Sequence, residues 1–171
     1  MVDIVTNSIE VSSAKASFKR AAQVLQIPAS SGKTGGTATV GYINTGTNLQ
    51  MVTLAANATA DTWVIPLSFL HEGDVITSIG ICGQIESGGN AATVDYALRA
   101  QTAVTTGSTD ASIQVGTQVA KTADYLMNET TALATPHTVI SGEHLYMLIT
   151  CTTAGATDIE LLYVSLTVTQ Q

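Results

Sequence analysis

The side chains in this sequence that could do chemistry are three histidines, two cysteines, 13 carboxylates and one Gly-Lys-Thr triplet. A protein zinc site draws His and Cys from close, motif-like spacings, yet His71, His137 and His144 have no cysteine near them. Gly32-Lys33-Thr34 matches the end of a phosphate-binding loop, but that loop also needs a glycine at position 27, where Ile27 stands. A serine nucleophile would sit in a Gly-x-Ser-x-Gly elbow, and none is present. Glycoside hydrolysis needs two carboxylates facing each other across a cleft, whereas Asp and Glu here are spread singly. The expectation is a chain that is not an enzyme, with no cofactor and no metal.

Function must then lie in surfaces, and composition describes them. The 171 residues make one ordinary domain, and 45% hydrophobic content is enough for a sizeable core. Charged residues are 11% of the chain, against about 25% in a typical soluble protein. A sparsely charged surface is less costly to dehydrate against a partner, so a homo-oligomer is expected. No apolar run approaches the roughly 20 residues of a membrane span, so no membrane partner is expected.

The net charge of -7 is unevenly placed, because Lys15, Lys19, Arg20 and Lys33 are four of the six basic residues. Arg99 and Lys121 alone face the remaining acids. An acidic body argues against a nucleic-acid surface, which needs clustered Lys and Arg. Met1-Val2-Asp3-Ile4 lacks the basic start and apolar core of a secretory signal, so synthesis in the cytoplasm is expected. In that compartment Cys82 and Cys151, both in apolar strand patterns, read as buried thiols, with a disulfide left as the alternative.

The elements that would position these residues divide at position 36. Residues 1–36 read as an N-terminal arm and linker. Ala14, Phe18, Ala21 and Leu25 align on one side of a helix that turns Lys15, Lys19 and Gln23 elsewhere and ends before Pro28. The alternative is an extended arm, because Ile4, Val5, Ile9 and Val11 fit no single period. Ala29 to Gly36 is a linker by composition.

Residues 37–171 read as a β-sandwich or jelly roll. Threonine is abundant, and its branched Cβ suits the pleated strand. Strands are expected over 37–44, 49–55 and 62–69, the last with Trp63, Ile65, Leu67 and Phe69 inward and Pro66 marking an edge or a bulge. Val75, Ile79, Ile81 and Ile85, the turn Ser87-Gly88-Gly89-Asn90, and Val94, Tyr96, Leu98 and Ala100 read as a hairpin. After a polar loop, Ile113, Val115 and Val119 alternate with polar residues. A second hairpin runs from Leu145, Met147, Ile149 and Cys151 through Thr153 to Ala156, returning with Leu162, Val164, Leu166 and Val168 as a central strand. The count is about eight or nine strands, with no helices of the length a parallel sheet demands. Trp63, Phe69 and Tyr96 are expected in the core; Tyr163 shares the outward face with Ser165 and Thr167.

Three stretches carry a resemblance: Asp61-Thr62-Trp63-Val64-Ile65-Pro66-Leu67, Glu72 to Ile76 leading to Gly83-Gln84-Ile85-Glu86-Ser87-Gly88-Gly89, and Thr152 to Ile159. They resemble virion structural proteins of tailed bacteriophages, most of all the small jelly-roll proteins that decorate or cement the capsid shell. The resemblance implies a trimer or similar oligomer on the outer head shell, with the major capsid protein as partner and the virion surface as location. The N-terminal segment would then reach the shell or a neighbouring subunit, making Lys15, Phe18, Lys19 and Arg20 the candidate contact residues. The alternative is a head or tail fibre module that binds cell-surface glycans.

Overall fold

The structure is a computed structural model that describes residues 10–12, 15–17, 20–34, 40–45, 49–54, 61–104, 107–155 and 157–170. Its strands in chain order begin with β1 (Glu10–Ser12), β2 (Lys15–Ser17), β3 (Gln23–Pro28), β4 (Lys33–Thr34), β5 (Val40–Thr45), β6 (Leu49–Leu54) and β7 (Asp61–Pro66). They continue with β8 (Val75–Glu86), β9 (Ala92–Val104), β10 (Gly107–Val115), β11 (Val119–Lys121), β12 (Tyr125–Thr138), β13 (Glu143–Thr153) and β14 (Asp158–Thr169). Strands β1 and β2 pair with each other. The others form two antiparallel sheets. Sheet I has the order β10-β9-β13-β7-β4, with β11 also on β9; sheet II has the order β12-β8-β14-β6-β5, with β3 also on β14.

Alternation along the long strands explains why the sheets stack. Val94, Tyr96, Leu98 and Ala100 of β9 and Leu145, Met147, Ile149 and Cys151 of β13 are buried, and they meet Ile79, Ile81 and Ile85 of β8 and Val164, Leu166 and Val168 of β14 in one continuous core. Fully burying each Val, Leu or Ile contributes about 1.5–3 kcal/mol, so one two-faced sheet pair suffices for stability. The chain is an antiparallel β-sandwich, and β14 is central in sheet II as its run of inward residues predicts.

Several expectations are corrected. The two apparent hairpins are not hairpins: β8 lies in sheet II and β9 in sheet I, and β13 and β14 are divided the same way. Each tight turn carries the chain from one sheet over to the other, as in a jelly roll. Two strands that each have one apolar face can bury it edge to edge or face to face, and periodicity does not distinguish the two. The inward sets also shift at bulges. Leu161 pairs with Gly83 and Tyr163 with Cys82, so Leu162 is an extra residue, and Ile159 and Leu161 are buried in its place. Opposite the Thr167–Val168 step, Thr77 is extra, and Ile76 rather than Val75 faces the core. The polar loop after β9 is in fact β10, paired with β9 from Gly107↔Val104 to Val115↔Ala97.

Of the two N-terminal readings, the helix is overturned and the extended one fits the described residues. Gln23–Pro28 is extended and pairs with β14 from Val168↔Gln23 to Tyr163↔Pro28, and Lys15–Ser17 is also strand. The linker begins inside the sandwich: Ala29–Ser31 forms one 3-10 turn with Ala29 fully buried, and Trp63 Nε1 donates to the Ala29 carbonyl at 2.9 Å. Lys33 and Thr34 then pair with Val64 and Trp63 of β7, so the sandwich takes in residues on the N-terminal side of position 36. Gly32 fits there because a Cβ would lie 2.4 Å from the Trp63 indole nitrogen.

Candidate functional site

Each sheet presents one outer face. On sheet I, Arg99 of β9 points away from the core because Leu98 and Ala100 point into it, and Tyr146 of β13 does so between Leu145 and Met147. The two are direct partners in the ladder. Asp110 of β10 completes the group: Arg99 Nη2 donates to Asp110 Oδ2 at 2.7 Å, Arg99 Nε donates to the same carboxylate at 3.1 and 3.2 Å, and the Tyr146 hydroxyl donates to Asp110 Oδ1 at 2.7 Å. The Arg99 guanidinium holds the Asp110 carboxyl below the usual carboxylate range, with the Tyr146 hydroxyl adding to it. Partial burial, then the neighbouring carboxylate, raise the Tyr146 phenol. The result is an aromatic ring fixed beside a bidentate ion pair, with exposed Pro66 next to it on β7. Such a surface can stack on a ligand ring and hydrogen-bond its hydroxyls.

The outer face of sheet II has a different character. Its central rows are Val24-Thr167-Ser78, Gln26-Ser165-Gly80-Thr130 and Pro28-Tyr163-Cys82-Asn128. None of these residues is charged. The Ser78 hydroxyl donates to Thr167 Oγ1 at 2.6 Å, and Gly80 keeps the rows close, since a Cβ there would stand 2.6 Å from the Glu129 carbonyl oxygen. Val24 is 66% exposed and Leu126, toward the end of β12, is 77% exposed. Acidic residues gather at one end, where Gln84 Nε2 donates to Glu160 Oε2 and, at 3.1 Å, to Glu86 Oε1.

The three histidines, scattered in sequence, come to one end of the sandwich. His71 lies in the β7–β8 connection, His137 pairs with Ile76 near the start of β8, and His144 is the second residue of β13. Among the described residues no group of three or more His, Cys, Asp or Glu is arranged to hold a metal ion. Both cysteines are free thiols; Cys151 is in the core of sheet I, where burial pushes its thiol up, and Cys82 is on the outer face of sheet II.

The sequence matches no protein-family profile and no curated protein. Solved structures do match. The xylan-binding domain CBM22-1 of Paenibacillus barcinonensis Xyn10C superposes with a TM-score of 0.53 at 13% identity, over 89% of this chain and 98% of that domain. The tandem CBM22-1-CBM22-2 structure of the same protein gives a TM-score of 0.56 at 14% identity, over 94% of this chain and 48% of the tandem. A Clostridium thermocellum structure of the CBM22-1 and GH10 modules of endo-1,4-beta-D-xylanase 10B, complexed with xylohexaose, gives 0.50 at 11% identity, over 90% of this chain and 28% of that one. At these identities the likeness is one of fold: a β-sandwich spanning nearly the whole chain.

Of the contact residues expected from sequence, Lys15 and Arg20 are described. Lys15 is the first residue of β2 and pairs with Ser12. Phe18 and Lys19 lie outside the described residues. Arg20 is exposed, and its Nη1 donates to Gln170 Oε1 at 3.4 Å beside the C-terminus. Tyr163 does occupy an outer face, and Trp63 and Tyr96 are in the core, but Phe69 is 37% exposed because the strand ends at Pro66. Sequence reasoning missed the Arg99, Asp110 and Tyr146 group. Its one visible signal is that Arg99 alternates outward; adjacency to Asp110 needed β10 to be recognised as a strand. No described helix is long and apolar enough to cross a membrane.

Proposed function

We propose that this chain is a non-catalytic structural protein of a tailed-phage virion, a decoration protein that seats on the outer head shell. The observation that carries the reading is the run of uncharged central rows on the outer face of sheet II, from Val24-Thr167-Ser78 to Pro28-Tyr163-Cys82-Asn128, in a chain whose net charge is -7. The resemblance of residues 61–67, 72–76, 83–89 and 152–159 to jelly-roll capsid cement proteins supports the same reading. Its mechanism is mass action: a protein that binds the assembled lattice and not its dissociated parts stabilises the lattice by its binding free energy. Joining copies into a trimer multiplies weak contacts, and Lys15, Phe18, Lys19 and Arg20 add a basic contact from the N-terminal segment. The test is co-sedimentation with purified shells of wild type and of a Val24→Glu, Gln26→Glu double variant, both sites being exposed. Loss of recruitment is expected; full recruitment of the charged variant would remove this face from the reading.

A second reading, glycan recognition by a fibre module, is favoured by one feature: the Tyr146 ring fixed beside Arg99 and Asp110 on sheet I. The xylan-binding domains that share the fold lend it support. Glycan-array binding that Tyr146→Ala abolishes, with roughly tens rather than hundreds of copies per particle, would establish it over decoration.

A further inference from the structure

The loop end of the sandwich contains a cavity of about 390 Å³ that reaches Pro66 at the rim of sheet I and lies away from the outer face of sheet II. Leu67, Leu70, Val139 and Leu145 supply apolar lining, and Glu143 lies among them, with Pro66, Ser68 and His144 completing the wall. The walls are held by main-chain hydrogen bonds between separate elements: Leu67 N–H donates to the Leu145 carbonyl at 2.9 Å, Gly73 N–H to Val139 at 2.9 Å and Val139 N–H to Asp74 at 2.8 Å. The cavity is therefore formed before any ligand arrives.

The Glu143 side chain is only 5% exposed. Its Oε2 accepts from His137 Nε2 at 2.9 Å and from the Ile140 N–H at 3.3 Å. Among the described residues the hydrogen bonds of this carboxylate all fall on Oε2, and Oε1 is not a buried orphan, which leaves it accessible from the cavity. A nearly buried carboxylate with one open oxygen, set among leucines, is complementary to a positive charge carried on an aliphatic stem.

We propose that this cavity binds a lysine side chain of a partner polypeptide, with the ammonium on Glu143 Oε1 and the methylenes against Leu67, Leu70, Val139 and Leu145. Lysine rather than arginine follows from the occupied Oε2: a guanidinium fork needs both carboxylate oxygens, and a point charge needs one. The inference is independent of the shell and glycan readings, since it rests on Glu143, which neither of them uses.

The test is an amide chemical-shift titration of the full chain with n-butylammonium, 1-butanol, butyrate and n-propylguanidinium. Saturable shifts at Gly73, Ile140 and Leu145 are expected with n-butylammonium in the millimolar range that so few atoms allow. 1-Butanol and n-propylguanidinium should bind at least about tenfold more weakly, and butyrate should not bind. Glu143→Gln should erase the preference for the ammonium, while Glu72→Gln, at an exposed neighbouring loop residue, should leave it. Equal responses to n-butylammonium and 1-butanol, or no saturable shift at those amides, would overturn the site even without a variant. Guanidinium binding as tight as ammonium would overturn the assignment to lysine.

Discussion

The Thr157 hydroxyl shares its one proton between the Ser87 carbonyl at 2.9 Å, 70 positions away, and the Ala154 carbonyl at 2.8 Å. Thr157 and Ser87 are fully buried, and each belongs to one of the two tight turns that carry the chain between the sheets. Ala154 N–H also donates to the Ala91 carbonyl at 3.0 Å, so the crossings brace each other. Thr157→Val keeps the shape and deletes the hydroxyl. The Ser87 carbonyl retains its bond from Asn90 N–H at 2.8 Å, which limits the expected loss to about 1–2 kcal/mol. Urea unfolding should show this as a lower midpoint at unchanged slope, with Thr157→Ser close to wild type.

Two glycines should respond to alanine for different reasons. At Gly83 an added Cβ would stand 2.1 Å from the backbone oxygen of Glu160, in the middle of the β8–β14 ladder, and backbone cannot step aside. Gly83→Ala should cost at least about 3 kcal/mol or prevent folding. Gly89 has a φ of +88° with nothing within 4 Å of an added Cβ, so Gly89→Ala should cost only about 1–2 kcal/mol of backbone strain. Soluble yield and thermal midpoint distinguish the two; equal effects would mean that the close approach at Gly83 is not there.

Central strands were legible because each buries one face and wets the other. The alternation through Val94, Tyr96, Leu98 and Ala100, and through Leu145 to Cys151, is what a two-layer fold requires. Partnerships were not legible. A tight Gly-rich turn joins hairpin strands and sheet-crossing strands equally well, and the bulges at Thr77 and Leu162 shift the phase within a strand without any turn residue to announce it. β10 reads as a loop in the sequence because, at the sheet edge, residues 107–112 are exposed throughout and show no alternation. Val24, Leu25 and Ile27 fit either period, and only the vacant edge beside the second half of β14 makes them a strand. The Arg99, Asp110 and Tyr146 group follows from pairing, so it was as hidden as the pairing.

Glu160 should make stability fall as pH rises. Burial raises its carboxyl above the ordinary value, the Gln84 hydrogen bond partly offsets this, and Glu86 and Asp158 raise it further. The folded chain therefore keeps a proton that the unfolded chain gives up near its ordinary value of about 4.3. Where the native state binds more protons, unfolding free energy declines with pH. Glu160→Gln removes that dependence while preserving an acceptor for Gln84. The variant should match wild type below about pH 4 and become the more stable of the two above it, the difference growing until pH passes the folded value. Chemical denaturation across pH 3.5–8 measures this; parallel curves would contradict it.

The two thiols offer a direct probe of which face is covered. Cys151 is fully buried and burial raises its thiol, so it should stay inert in the native chain. Cys82 is partly exposed between Tyr163 and Asn128 in the uncharged central rows of sheet II's outer face. A thiol reagent should label one cysteine per native chain and both under denaturant. Docking on a shell through this face must bury Cys82, so labelling of shell-bound protein should fall toward zero. Docking through the Tyr146 face would leave Cys82 as reactive as in the free chain, so labelling before and after recruitment separates the two outer faces without altering a residue.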